Sequence, residues 1–265
     1  MSLKERVLDG ETLEDVEIID AHMHLNEPPF YVPSPDWESC IKTMDKYGIS
    51  RGISAPELGI TCSMEEGNSE ILEVSEQTDR LLPYCTINPH FPDRIGPELE
   101  RCFARGAVGI KIHPAIHQVA ITDERYYPVY EYASDTGKPV LSHTWGECPV
   151  SSPGLCVQVA ERFPDIQFIL GHTGGTFKGL QESIAAMKEK PANLTADITG
   201  STQFLRRIEI LCREVTAERV VFGSDSPWIE PGLPLGAIVF ADITDEEKQL
   251  ILSGNIKRLM DIGKK

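Results

Sequence analysis

Two imidazoles stand two residues apart in Asp20-Ala21-His22-Met23-His24, directly after an apolar run. Alternate residues of an extended chain face one side, so Ile18, Asp20, His22 and His24 are expected on one face. Both rings would then reach a single cation. The H-x-H pattern alone is short, and a solvated or hydrogen-bonded pair would look the same. The other histidines tip the balance. His113, His143 and His172, and the carboxylate Asp225, each stand just beyond an apolar run, with His90 and His117 in nearby loops. A chance scatter would put several of them on helix surfaces. Imidazole with carboxylate and no thiolate suits Zn²⁺ first, with Mn²⁺, Fe²⁺ and Co²⁺ also accepted. Three protein ligands plus water is the open, catalytic arrangement. Such an ion brings bound water to a pKa of about 7, and Asp225 is placed to take its proton. The expected cofactor is therefore a divalent metal, zinc first, as one or two ions.

The elements that must carry these groups alternate. Apolar runs at 16–20, 49–55, 82–88, 108–113, 140–143, 167–171, 193–198 and 219–223 read as strands. Helical spacing appears at 37–47, 69–80, 97–105, 127–136, 155–162, 180–188 and 205–215, and Thr244-Asp245-Glu246-Glu247 is a capping box opening a last helix toward Met260. Strands alternating with helices imply a parallel sheet. Eight such units in 265 residues predict an α/β fold, a closed (β/α)₈ TIM barrel spanning 1–265 as a single domain. The carbonyl ends of its strands form the rim where active sites of such barrels sit, and the histidines fall there. A doubly wound open sheet is the runner-up. It usually announces itself by a Gly-rich loop after the first strand, where this chain has histidines instead.

Composition excludes other classes. Asp plus Glu is 41 and Lys plus Arg is 25, a net charge of −16 that repels nucleic acid backbones and anionic membranes. No window approaches 18 apolar residues, and no apolar leader opens the chain. The seven cysteines are scattered, odd in number and without C-x-x-C spacing. Reduced thiols in a cytoplasmic protein are the simplest account. The expected partner is a small-molecule substrate, and an anionic one is allowed because a metal inverts the local field. No nucleic acid or membrane is expected; a homo-oligomer is left open.

Five segments, in order, resemble motifs of the amidohydrolase superfamily, specifically its amidohydrolase-2 group of metal-dependent hydrolases and decarboxylases. They are Ile19-Asp20-Ala21-His22-Met23-His24, Gly109-Ile110-Lys111-Ile112-His113-Pro114, Leu141-Ser142-His143-Thr144, Gly171-His172-Thr173-Gly174-Gly175 and Phe222-Gly223-Ser224-Asp225-Ser226-Pro227-Trp228. Gly254-Asn255-Ile256-Lys257-Arg258-Leu259 is similar to that group's closing helix. The resemblance implies that His22 and His24 bind the buried metal, that His143 ligates from the fifth strand, and that Asp225 binds metal and shuttles the proton. His172 would polarise water or substrate in a one-metal enzyme and ligate the second ion in a two-metal one. Lys111 would be a carboxylated bridge between two ions, or an ammonium holding an anionic substrate. We favour the ammonium from the Lys111-Ile112-His113-Pro114 wording. A charge buried against Asp20 or Asp197 is its plain structural alternative.

Lesser candidates surround these. Lys111 and His113 share a strand face, so both can point inward, although His113 before Pro114 could simply cap the strand. Trp145 and Glu147 follow His143 in a rim loop, Trp145 as a pocket wall. Trp228 is a wall or plain packing. Glu57 is expected to be solvated, and residues 26–35, with four prolines, to cover the pocket. The leading function is a metal-dependent hydrolase of a small C–N, ester or lactone bond. The alternative is a metal-dependent decarboxylase or hydratase, a lyase, of an unsaturated carboxylic acid. A silent metal-binding scaffold would have lost His22, His24 or Asp225. A TatD-like nuclease is opposed by the negative charge and by Phe222-Gly223-Ser224-Asp225.

Overall fold

The computed structural model describes residues 1–26, 31–32, 35–190, 192–200 and 206–263. Eight strands follow one another round the sheet in chain order: β1 Ile19–Leu25, β2 Arg51–Pro56, β3 Leu81–Thr86, β4 Gly109–Ile112, β5 Val140–His143, β6 Phe168–Gly171, β7 Leu194–Asp197 and β8 Val220–Val221. Every neighbouring pair is parallel. Backbone hydrogen bonds then join the ends of the ring. Ala21 N donates to Phe222 O (2.9 Å), Asp225 N to His22 O (2.8 Å) and His24 N to Ser226 O (2.7 Å). The predicted (β/α)₈ barrel is the fold, and among the described residues there is no reversal of strand order, as a doubly wound sheet requires.

The helix Trp37–Tyr47 matches its sequence signals. Asp36 accepts from Ser39 N at its start, and Gly48 ends it at φ 67°. Other boundaries differ. The helix expected at 69–80 is Met64–Gln77, and the one expected at 97–105 is Pro92–Ala104. There Pro92 is the starting proline, and Pro97 lies inside on the exposed side, where water can meet the carbonyl freed by its missing N–H. The expected closing helix is interrupted. Asp245–Gln249 and Asn255–Leu259 flank a π-turn at Leu250–Gly254. The wider turn presents Ile251 O to Phe222 N at 2.9 Å, tying the last helix to β8. The described helix Arg207–Val215 replaces 205–215, and Leu205 lies outside the described residues. So do residues 27–30 and 33–34 of the proline-rich segment.

One departure governs the site. Ile19 and Ala21 pack inside the ring with Ile53, Ala55, Leu141, Ile169 and Val221. Ile18, Met23 and Leu25 pack in the outer layer with the helices. The inward parity therefore switches from odd to even along β1, and its register with β2 shifts between Asp20 and Met23. This is the work of a bulge, which adds a residue and re-aims the side chains after it. It corrects the expectation that Ile18 shares the face of His22 and His24. Among the described residues no helix is long and apolar enough to cross a membrane.

Candidate metal centre

β1 and the turn after β8 bring together three of the expected ligands. His22 Nε2 and His24 Nε2 lie 3.5 and 3.3 Å from Asp225 Oδ1. One donor atom from each of the three falls within 4.8 Å of the others, and no other such trio occurs among the described residues. All three side chains are buried, and Asp225 Oδ1 has no hydrogen-bond partner. An unpartnered carboxylate oxygen facing two imidazole nitrogens is what a cation would complete. The residues present therefore fit a divalent metal.

Carboxylates behind the trio hold it. His22 Nδ1–H donates to Asp197 Oδ2 at 2.7 Å, leaving the Nε2 lone pair for a ligand. Asp20 Oδ1 accepts from both His22 N and Ser224 N at 3.0 Å, fastening β1 to the Asp225 turn. Asp225 itself sits at φ 72°, a region aspartate tolerates better than bulkier residues, and its carbonyl accepts from Trp228 N at 2.8 Å and Ile229 N at 3.2 Å. Burial pushes the imidazoles of His22, His24, His113, His143 and His172 well below their ordinary range. Neutral imidazoles are the form that binds metal.

The remaining candidates converge on the same mouth. A cavity of about 220 Å³ is lined by His24, Lys111, His113, His143, Trp145 and His172, and by Asp225 and Trp228 among others. His143 stacks on His113 (centroids 4.0 Å) and lies edge-on to His172 (4.7 Å), whose ring is 5.0 Å from that of His22. His143 and His172 are thus adjacent to the trio but outside its 4.8 Å set. His113 caps the helix that follows its strand and also reaches the cavity. Its Nδ1 accepts from Ile116 N at 3.2 Å as a helix cap, and its ring faces the cavity. Trp145 runs parallel to His143 at 6.0 Å, and Trp228 stacks on His24 at 3.6 Å. Lys111 is fully buried with Nζ 2.6 Å from His22 Nε2. Burial draws it down to about 8, while the carboxylates of Asp225, Asp197 and Glu57 hold it up.

Two residues escaped the sequence reading. Glu57 is not solvated but 2% exposed, and burial pushes its carboxyl up to about 7. It follows β2 at the inward parity of Ile53 and Ala55, a signal available in the sequence. Arg207 is also buried. It donates to His172 O at 2.6 Å and Ile198 O at 3.2 Å, while His172 N donates to Asp197 Oδ2 at 3.3 Å. His172 is thereby gripped on both sides of a left-handed backbone, φ 65°. Nothing in the local pattern around Arg207 announces this.

Gly223 shows how tightly the frame is packed. A Cβ there would stand 2.8 Å from His22 Cβ and would strike Thr199 Oγ1 and Asp197 Oδ1. Gly223→Ala should cost about 2 kcal/mol by overpacking and lower the Tm by roughly 4–8 °C. A calorimetric scan checks this, and an unchanged Tm would show that the frame yields freely.

Solved structures with the same fold are numerous. The 5-carboxyvanillate decarboxylase of Sphingomonas paucimobilis is 14% identical with a TM-score of 0.74, over 93% of this chain and 99% of that one. A dihydroxybenzoic acid decarboxylase from Polaromonas, solved with manganese and 2-nitroresorcinol, is 15% identical with a TM-score of 0.75, over 94% and 98%. The 4-oxalomesaconate hydratase of Rhodopseudomonas palustris is 19% identical with a TM-score of 0.67, over 92% and 95%. At these identities the likeness establishes the barrel. No curated protein sequence matches the chain. The family model described as amidohydrolase, however, matches residues 19–262, from the start of β1 to just beyond the closing helix, and the chain belongs to the amidohydrolase family.

Proposed function

We propose that this protein is a metal-dependent decarboxylase of a small, flat, unsaturated or aromatic carboxylic acid. The carrying observation is the 220 Å³ cavity, in which one buried cation, Lys111, and two of the metal-donor trio, His24 and Asp225, share walls with the indoles of Trp145 and Trp228. Flat walls and a single ammonium suit a planar anion. The two decarboxylases and the hydratase of the same fold support the lyase reading over the hydrolase.

His22, His24 and Asp225 would hold the metal, with His143 and His172 beside them. Imidazole and carboxylate donors accept Mn²⁺ and Zn²⁺ alike, and the Polaromonas enzyme holds manganese. Bound there, the ion supplies Lewis-acid charge against the substrate's oxygens. Lys111 lines the same cavity and would orient the substrate's carboxylate by its positive charge. Trp145 and Trp228 hold the ring flat and keep water out. The bond from ring carbon to carboxylate breaks with its electron pair left on carbon, and carbon dioxide departs. Asp225 would deliver the proton that replaces it and take up another from water at the cavity mouth, which His172 also lines.

The test is a screen of manganese- or zinc-loaded protein against aromatic and unsaturated carboxylic acids, lactones and amides. Carbon dioxide release from an acid is the expected result. Turnover confined to lactones or amides would reinstate the hydrolase.

A further inference from the structure

The donor atom that His22 would offer a metal is already engaged. Lys111 Nζ lies 2.6 Å from His22 Nε2, and Nδ1 of the same ring is committed to Asp197. Nε2 therefore carries the ring's one acceptor lone pair. An ammonium N–H and a cation cannot share it. A metal on His22 requires Lys111 to turn aside, and a buried ammonium needs another acceptor when it does.

Acceptors without partners lie in the same row of the barrel. Glu57 is buried and neither carboxylate oxygen has a hydrogen bond; Thr86, fully buried, has an unpartnered Oγ1. Ser54 pairs with Pro83, and Thr86 pairs with Lys111. Thr86 is therefore level with Lys111, and Glu57 opens the helix that leaves β2, the strand on the other side of β3. The helix Glu57–Thr61 packs directly on this row, since a Cβ on Gly59 would stand 3.3 Å from Thr86 Cβ. The charges of Glu57 and Lys111 act on each other. Buried acceptors left empty cost free energy, and an ammonium turned aside from His22 would fill them.

We propose that Lys111 has two seats, one on His22 Nε2 and the other on the Glu57 carboxylate and Thr86 Oγ1, the second taken when a cation occupies His22. Glu57 is then a positioning residue that sets metal affinity without touching the metal. This rests on the reading of His22, His24 and Asp225 as ligands, and not on the decarboxylase assignment.

The experiment uses the full chain, stripped with chelator and titrated with Mn²⁺ alone by calorimetry. Glu57→Gln should weaken binding roughly tenfold, as loss of a supporting carboxylate commonly does. Lys111→Met should bind at least as tightly as wild type, because the competitor is gone. In that background Glu57→Gln should have no further effect. Thr86→Val, a near-isosteric change, should weaken binding by a smaller factor and only when Lys111 is present. It keeps the test intact should Glu57→Gln fail to fold, as checked by circular dichroism. Unchanged affinity in Glu57→Gln or Thr86→Val, or equal losses with and without Lys111, would overturn the two-seat arrangement. Loss of metal from Lys111→Met would overturn it too, by making Lys111 itself a ligand. A wild-type chain that binds no Mn²⁺ would instead remove the ligand assignment on which it stands.

Discussion

Replacing His22 and His24 together with Ala should abolish stoichiometric metal binding. The two rings supply two of the three donors that converge within 4.8 Å. Four-ligand structural zinc sites are worth roughly 10–16 kcal/mol, so two lost ligands cost on the order of 5 kcal/mol, above a thousandfold in affinity. Of the trio only Asp225 would remain, with His143 and His172 outside the converging set, too few for an open catalytic site. The barrel should survive, because Ala21, Ile53, Leu141, Ile169 and Val221 fill its interior below the donors. Elemental analysis of protein purified without chelator gives the metal per chain, with circular dichroism as the folding control. Tightly bound metal retained in full by the double variant would refute the assignment.

Asp225→Asn should fold normally and lose about 10²–10⁴-fold in turnover on any substrate found. The amide has nearly the carboxylate's shape. Asparagine also accepts a left-handed backbone, which position 225 requires at φ 72°. What it lacks is a site for an exchangeable proton and the negative charge facing His22 and His24. Single-turnover and metal-content measurements separate these two losses. Under the decarboxylase reading, loading the variant with excess Mn²⁺ should restore occupancy without restoring the rate. Wild-type turnover in a fully loaded variant would place the proton transfer on another group.

The alternation of strand and helix was legible because it is written in short-range pattern. Period-two and period-3.6 spacing, Gly48 after a helix and the Thr244 capping box all act over a few residues. The rim position of His113, His143, His172 and Asp225 followed from the same local grammar, since each stands where an apolar run stops. Element boundaries were less legible where two signals competed, as with Pro92 and Pro97 for the start of one helix.

What the sequence determined by itself was the eight-unit barrel, the set of side chains at one of its ends, and the membership that those motifs carry. Tertiary structure alone decided how they meet. The bulge in β1 turns His22 and His24 inward, whereas unbroken alternation would have left them on the face of Ile18. Lys111 reaches His22 across 89 residues of chain, Asp197 reaches it across 175, and Arg207 grips His172 across 35. Glu57 has no charged neighbour in the chain to mark it, yet the closing of the ring buries it near Lys111. Local spacing fixes which face a residue takes over a few positions. Which groups then share a lone pair depends on the curvature, register and closure of the whole sheet.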